Sequence, residues 1–198
     1  MPPKQVIIVT DGDLSAQLAV ERAAFELGLY FLQVTGGNPT RLSGPEVVQH
    51  ILRAPHDPVV VMADDKGRRG LGPGEMVVDH ILKCPEVAIL GVVAVASDTR
   101  VRGVVVDFSV TADGRLVKGP VDKNGWEEQL DHHRLEGDTI EIFRHHPELL
   151  VLGCGDLGKM GGRDAVEHGA MITRKCFEEI LLRSKPLQDN TIMKNQGR

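Results

Sequence analysis

Residues Val59 to Glu75, VVVMADDKGRRGLGPGE, run from five consecutive apolar residues into two adjacent carboxylates and then a glycine-rich loop. A short, β-branched apolar run closed by such a turn reads as a strand buried on both faces, the signature of a parallel sheet covered by helices. Ligands of such sheets bind beyond the carboxyl ends of the strands. Carboxylates gathered there repel one another unless a cation or a basic group lies between them. The first apolar run ends the same way, Val6 to Thr10 leading into Asp11-Gly12-Asp13. Asp11, Asp13, Asp64 and Asp65 are therefore candidate ligands for a divalent cation, calcium or magnesium, both of which take oxygen donors.

The rest of the chain repeats the alternation. A helix is predicted from about Leu14 to Leu27, with Asp13 as N-cap and Gly28 as C-cap. Tyr30 to Val34 reads as a second strand. Ser43 and Glu46 have capping-box spacing before the apolar face of Val47, Val48, Ile51 and Leu52. Pro55 ends that helix near Ala54. A third helix spans about Pro73 to Cys84, and Val87 to Ala96 forms a fourth strand. Four strands joined by short helices predict a three-layer α/β domain with a mostly parallel, doubly wound sheet. Its analogues are flavodoxin-, Toprim- and receiver-like folds.

The pattern changes after Ser97. Val104 to Val110, a turn at Ala112-Asp113-Gly114 and Leu116-Val117 read as an antiparallel hairpin appended to the sheet. Residues from about Val121 to His146 are polar and read as an irregular segment over one edge of the sheet. Leu149 to Gly153 restores a buried strand, and a helix from about Arg163 to Arg183 closes the domain. The expected organisation is one domain over 1–183, with an insertion at about 98–147 and a mobile polar tail over 184–198.

Bulk properties exclude several classes. A net charge of −5 opposes a nucleic-acid binder that relies on a broad positive field. No apolar run approaches the roughly 18 residues of a membrane span, and the N-terminus enters strand one with no leader pattern. Cys84, Cys154 and Cys176 fit neither a zinc pattern nor a disulfide framework.

Several motifs invite a sharper reading. Gly153 to Gly158 matches GxGxxG, but the acidic second strand of a dinucleotide site does not follow. With Lys159 the same stretch approaches a P-loop, yet Met160 stands where a hydroxyl would hold magnesium. Both reduce to a tight strand-to-helix turn, with Lys159 kept as a candidate anion contact. Gly72, Gly74 and Glu75 at the start of the third helix are candidate ligand-binding residues, because helix-start amides favour anions. Arg68 and Arg69 offer the opposing reading, in which they neutralise the aspartates. Asp131-His132-His133 lacks matching acidic strand ends and reads as a solvated loop. The order Asp11/Asp13, Asp64 or Asp65, Ser97, Lys159 parallels receiver domains, in which carboxylates hold magnesium while a hydroxyl and a lysine receive a phosphoryl group. Ser97 joins the candidate ligand-binding residues on that ground, and no catalytic residue is assigned.

As an ordered set, TDGD (Thr10–Asp13), GNPT (Gly37–Thr40), APHDP (Ala54–Pro58), DDKG…GPGE (Asp64–Glu75), VAVAS (Val93–Ser97), VDKNG (Val121–Gly125) and GDLGKM (Gly155–Met160) resemble the soluble stage V sporulation protein AE family. The likeness runs from about Val6 to Leu182. It implies a spore-forming bacterium and an operon that moves dipicolinic acid, with calcium, into the spore and out at germination. It also implies a non-enzymatic binding or scaffold role, the operon's other products as partners, and peripheral attachment at the spore inner membrane. A homo-oligomer stays open, and a magnesium-dependent receiver-like or Toprim-like phosphoryl-transfer domain is the alternative.

Overall fold

The computed structural model describes residues 2–129 and 131–184. The tail expected over 184–198 lies, from residue 185 onward, outside the described residues. β1 (Lys4–Val9), α1 (Leu14–Leu27), β2 (Tyr30–Phe31), α2 (Gly44–Leu52), β3 (Val59–Met62), α3 (Pro73–Leu82) and β4 (Val87–Val95) alternate as the apolar runs require. β5 (Phe108–Val110), β6 (Leu116–Val117), β7 (Val151–Cys154) and α4 (Met171–Ser184) complete the domain. The sheet order is β2-β3-β1-β4-β7-β5-β6. All neighbouring strands are parallel except β5 and β6, which form the antiparallel pair.

Strand alternation sorts the core into two layers. Ile7, Val9, Val60, Met62 and Val93 face α1 and α4, meeting Ala16, Val20, Ala23, Cys176, Phe177 and Ile180. Val6, Ile8, Val59, Val61, Val92 and Ala94 face α2 and α3, meeting Val47, Ile51, Val77, Val78 and Ile81. β1 thus sends its chain to one face, while its neighbour β3 sends its chain to the other. That divergence opens a crevice at the carboxyl edge, the usual ligand position in a doubly wound sheet.

Local chemistry fixes the element ends. Asp13 Oδ1 accepts the Ala16 N–H at 3.0 Å and starts α1, and Gly28 closes it at φ 66°. Glu46 Oε2 accepts the Ser43 N–H at 2.8 Å, half of the capping box on α2.

Four elements depart from the sequence reading, the first being the hairpin strand expected over Val104–Val110, which is regular only over Phe108–Val110 while Val104 forms an isolated bridge with Leu135. β2 stops at Phe31, because the chain turns into a 3-10 helix over Gln33–Thr35. The Thr35 hydroxyl, rather than strand backbone, then accepts the Met62 N–H at 3.0 Å. The last helix begins at Met171 instead of Arg163. Gly161, Gly162, Gly169 and Ala170 all take positive φ, which interrupts a regular helix. The segment after Val121 does more than cover an edge: Leu135, Ile140 and Phe143 are buried in the same layer as α2 and α3. β7 enters the sheet between β4 and β5, so the hairpin is the continuation of the sheet and is held parallel to β7.

No helix among the described residues is long and apolar enough to cross a membrane.

Candidate functional site

The strand ends meet around a polar cavity of about 250 Å³. Its wall includes Asp11 and Asp13 after β1, Asp64 after β3, Ser97 after β4, and Asp156 and Lys159 after β7. Asp98, Lys123 and Asp138 close it from the later segment.

β1 is tied to β4 at this end, with Thr10 N–H donating to the Val93 carbonyl at 3.0 Å and Thr10 Oγ1 accepting the Val95 N–H at 2.9 Å. The chain then turns around Asp11, whose Oδ1 accepts the N–H groups of Gly12 (2.7 Å) and Asp13 (3.2 Å). Only glycine fits at position 12: a Cβ there would lie 2.1 Å from the Gly37 carbonyl oxygen and 2.8 Å from Asp64 Cβ. This close approach presses the β1 loop onto the β3 loop. Asp64 is in turn fastened to Thr40, which accepts its N–H at 2.8 Å through Oγ1 and donates its own N–H to the Asp64 carbonyl at 2.9 Å.

Asp11, Asp13 and Asp156 form the tightest group, each offering an oxygen within 4.8 Å of the other two. Asp11 is 8% exposed, and while its Oδ1 is held by the turn, its Oδ2 has no protein partner among the described residues. Burial pushes the Asp11 carboxyl up to about 8, with Asp13, Asp64 and Asp156 adding repulsion. Asp64 rises to about 6, again through burial first, with Asp138 and Asp65 nearby. Burial also raises Asp138. Asp13 goes the other way. Its burial is outweighed by hydrogen bonds from Lys159 and the Ala16 N–H.

Lys159 supplies the counter-charge. Its Nζ donates to Asp13 Oδ2 at 2.5 Å and to both oxygens of Asp156 at 3.0 and 3.1 Å. Lys123 pairs with Asp98 on the rim. Arg68 and Arg69 are exposed and make no ion pair among the described residues, so the neutralising partner is Lys159.

Asp65 turns away from the cavity. Its Oδ1 accepts the Gly74 N–H at 2.7 Å, and its Oδ2 accepts the Glu75 N–H at 3.2 Å and the Thr139 hydroxyl at 2.9 Å. The anion at the start of α3 is thus the protein's own Asp65, which favours the positive helix end. Gly72 and Gly74 serve that packing, since a Cβ would meet Asp65 Oδ1 at 2.1 Å or Asp64 N at 2.8 Å. Glu75 is buried against Asp65 and Glu141, and burial lifts it to about 7. The structure therefore brings Asp11, Asp13, Asp64, Ser97 and Lys159 together and leaves Asp65, Gly72, Gly74 and Glu75 behind the cavity. An Asp65→Ala variant is expected to lose about 2 kcal/mol of stability in urea unfolding, because buried N–H groups lose their acceptor. It should retain the cation affinity of the parent in calorimetry.

Asp156 is the group the strand-end reasoning passed over, although it follows β7 as Asp11 follows β1. The glycines around it serve close packing. A Cβ at Gly155 would lie 2.6 Å from Gly125 N, and one at Gly158 (φ 73°) would lie 2.3 Å from the Ser15 carbonyl oxygen. They let the β7 loop pack against the start of α1 and the turn at 122–125. Asp138 had no sequence signal and Lys123 only its place in VDKNG, since both reach the cavity through tertiary folding.

A family model described as stage V sporulation protein AE1 matches residues 5–184. No curated protein and no solved structure matches the chain. The match spans nearly all of the described residues, and the chain belongs to the stage V sporulation protein AE1 family.

Proposed function

We propose that this sporulation protein binds a divalent cation at the carboxyl edge of its sheet and, through the cation, a small anion. The observation that carries the reading is the convergence of Asp11, Asp13 and Asp156, each lining the cavity and each offering an oxygen within 4.8 Å of the other two. A hard cation takes several carboxylate oxygens and keeps its remaining positions for water or ligand. The donor set is all oxygen and fits calcium or magnesium. Lys159 lies between Asp13 and Asp156 and is displaced toward the cavity when a cation takes its place. There it supports an anion that completes the coordination.

The family resemblance makes calcium dipicolinate the ligand of choice, and the role is that of an accessory binding protein during spore formation or germination. Its partners are other products of the same operon, which hold it peripherally at the spore inner membrane.

Calorimetric titration with calcium and magnesium, with and without dipicolinate, tests this reading. Cation binding is expected in the micromolar-to-millimolar range, lost in Asp156→Asn, with dipicolinate heat appearing only when cation is present. No heat at millimolar cation would end the proposal.

A second reading is favoured by Asp64, Ser97 and Lys159 lining the same cavity as Asp11 and Asp13. There magnesium sits on the carboxylates, Asp64 accepts a phosphoryl group, and Ser97 and Lys159 contact it. Acid-labile phosphate appearing from acetyl phosphate and magnesium, and absent in Asp64→Asn, would select this reading over the first.

A further inference from the structure

A second cavity, of about 300 Å³, lies at the opposite end of the sheet, where the chain enters β5 and β7. Its size falls at the small end of ligand cavities, which run to about 1,000 Å³. Val104, Val106, Phe143, Leu149 and Val151 give it apolar walls. Arg134 and Arg144 give it a positive rim, with the His146 ring beside them.

The acidic groups nearby are already engaged. Asp107 belongs to the backbone ladder, since its Oδ2 accepts the Val151 N–H at 2.8 Å and its own N–H donates to the Val151 carbonyl at 2.9 Å. Glu148 lies on His146 at 3.0 Å. Glu141 accepts the Arg102 N–H at 3.1 Å and approaches Arg144 only at 3.7 Å. Arg134 is exposed and makes no ion pair among the described residues.

Arg144 carries the decisive feature. Its Nε is buried and has no hydrogen-bond partner among the described residues. A buried N–H without an acceptor is costly, and it marks a guanidinium whose hydrogen-bonding capacity the protein itself leaves incomplete. The guanidinium matches a carboxylate in shape and charge, and the walls beside it call for an apolar body.

We propose that this cavity binds a small monocarboxylate with a compact aliphatic or aromatic body. The carboxylate takes the Arg144 guanidinium, with Arg134 adding charge, and the body packs on Phe143, Val104 and Val151. Inorganic phosphate offers the charge without the body, and a neutral amide offers the body without the charge. The two halves of the proposal are therefore separable.

Two-dimensional ¹H–¹⁵N NMR of the full chain tests it, with benzoate, 3-methylbutanoate, benzamide and inorganic phosphate as probes. Saturable shifts at the amides of Val104, Val106, Phe143 and Val151 are expected with both carboxylates. Benzamide and phosphate should bind at least about tenfold more weakly, the loss of one charge-assisted contact or of the packed body. Arg144→Gln, and separately the exposed Arg134→Ser, should each weaken benzoate several-fold while the remaining spectrum stays folded. Asp156→Asn should leave benzoate affinity unchanged, which keeps this site distinct from the one at the carboxyl edge. The proposal falls if these amides do not move, if benzamide binds as well as benzoate, or if both arginine variants bind like the parent.

Discussion

An Asp164→Ala variant is expected to lose about 4 kcal/mol of unfolding free energy, the largest single-residue effect outside the apolar core. Asp164 is wholly buried and forms no ion pair among the described residues. Its Oδ1 accepts the N–H groups of Ile172 (2.8 Å) and Thr173 (2.9 Å), and its Oδ2 accepts the Gly158 N–H (2.8 Å) and the Thr173 hydroxyl (2.6 Å). Four donors converge on one carboxylate, three of them backbone groups that cannot rotate away. Two sit in the first turn of α4, where the helix dipole favours a negative charge. Removing the carboxylate orphans all four at about 1–3 kcal/mol each, reduced where water enters the space. Asp164→Asn keeps the volume but turns an amide against donors, so an intermediate loss is expected.

The consequence for the site follows from Gly158. Asp164 fixes that backbone position, and the same loop carries Asp156 and Lys159. Cation affinity should therefore fall in Asp164→Asn even under conditions where the variant is fully folded. Urea unfolding, compared at equal m-value, reads the first effect, and calorimetry reads the second. A loss below about 1 kcal/mol would mean that water substitutes for the carboxylate and that the loop holds itself.

The same residues show where sequence reasoning reaches and where it stops. α1 was legible to its ends because both caps are local: Asp13 and Gly28 act within a few residues of the helix they close. The strands that lie central in the sheet were legible because burial on both faces leaves an uninterrupted apolar run. The pairing of β1 with β3 follows the common doubly wound order, but the entry of β7 between β4 and β5 was not legible, since it rests on contacts far apart in sequence. Asp11, Asp13 and Asp64 were named because each follows an apolar run, Ser97 because its place in the chain parallels receiver domains, and Lys159 on that parallel and as the lysine of a near P-loop. Asp65 was grouped with Asp64, yet neighbouring residues leaving an extended strand point to opposite faces. That alternation predicts the separation seen here, with Asp64 in the cavity and Asp65 under α3. Asp156 was obscured by the glycine pattern around it. Asp138 reaches the site from 71 residues beyond Gly67, whose N–H it accepts, a pairing that no local pattern encodes.

Raising the pH from 5 to 9 is expected to destabilise the cation-free protein by roughly 4 kcal/mol or more, and a saturating divalent cation should cancel most of the loss. Asp11 stands at about 8 in the folded chain against 3.8 for an ordinary aspartate. Between those values the native state holds a proton that the unfolded chain has released. Its contribution is complete below 3.8 and disappears as the pH rises through about 8. Asp64, at about 6, and Glu75, at about 7, act in the same sense over narrower windows. The carboxyls held low, Asp13 and Asp113 among them, act in the opposite sense. Their contributions are lost only below about 4, outside the interval. Lys159 is raised by Asp13 and Asp156 against the opposing effect of burial, and it loses its contribution only above 10.5. The net slope from 5 to 9 is therefore negative. A cation at Asp11, Asp13 and Asp156 replaces the proton, and because it must displace that proton its affinity grows with pH. The stabilisation by calcium should thus be small at pH 5 and largest at pH 9. Asp11→Asn should flatten the cation-free slope and remove the cation's effect together. Chemical denaturation at unit pH steps, with calcium and with chelator, makes the comparison. Parallel curves, displaced by the same amount at every pH, would place the cation away from Asp11 and leave that carboxyl a buried acid with no ligand.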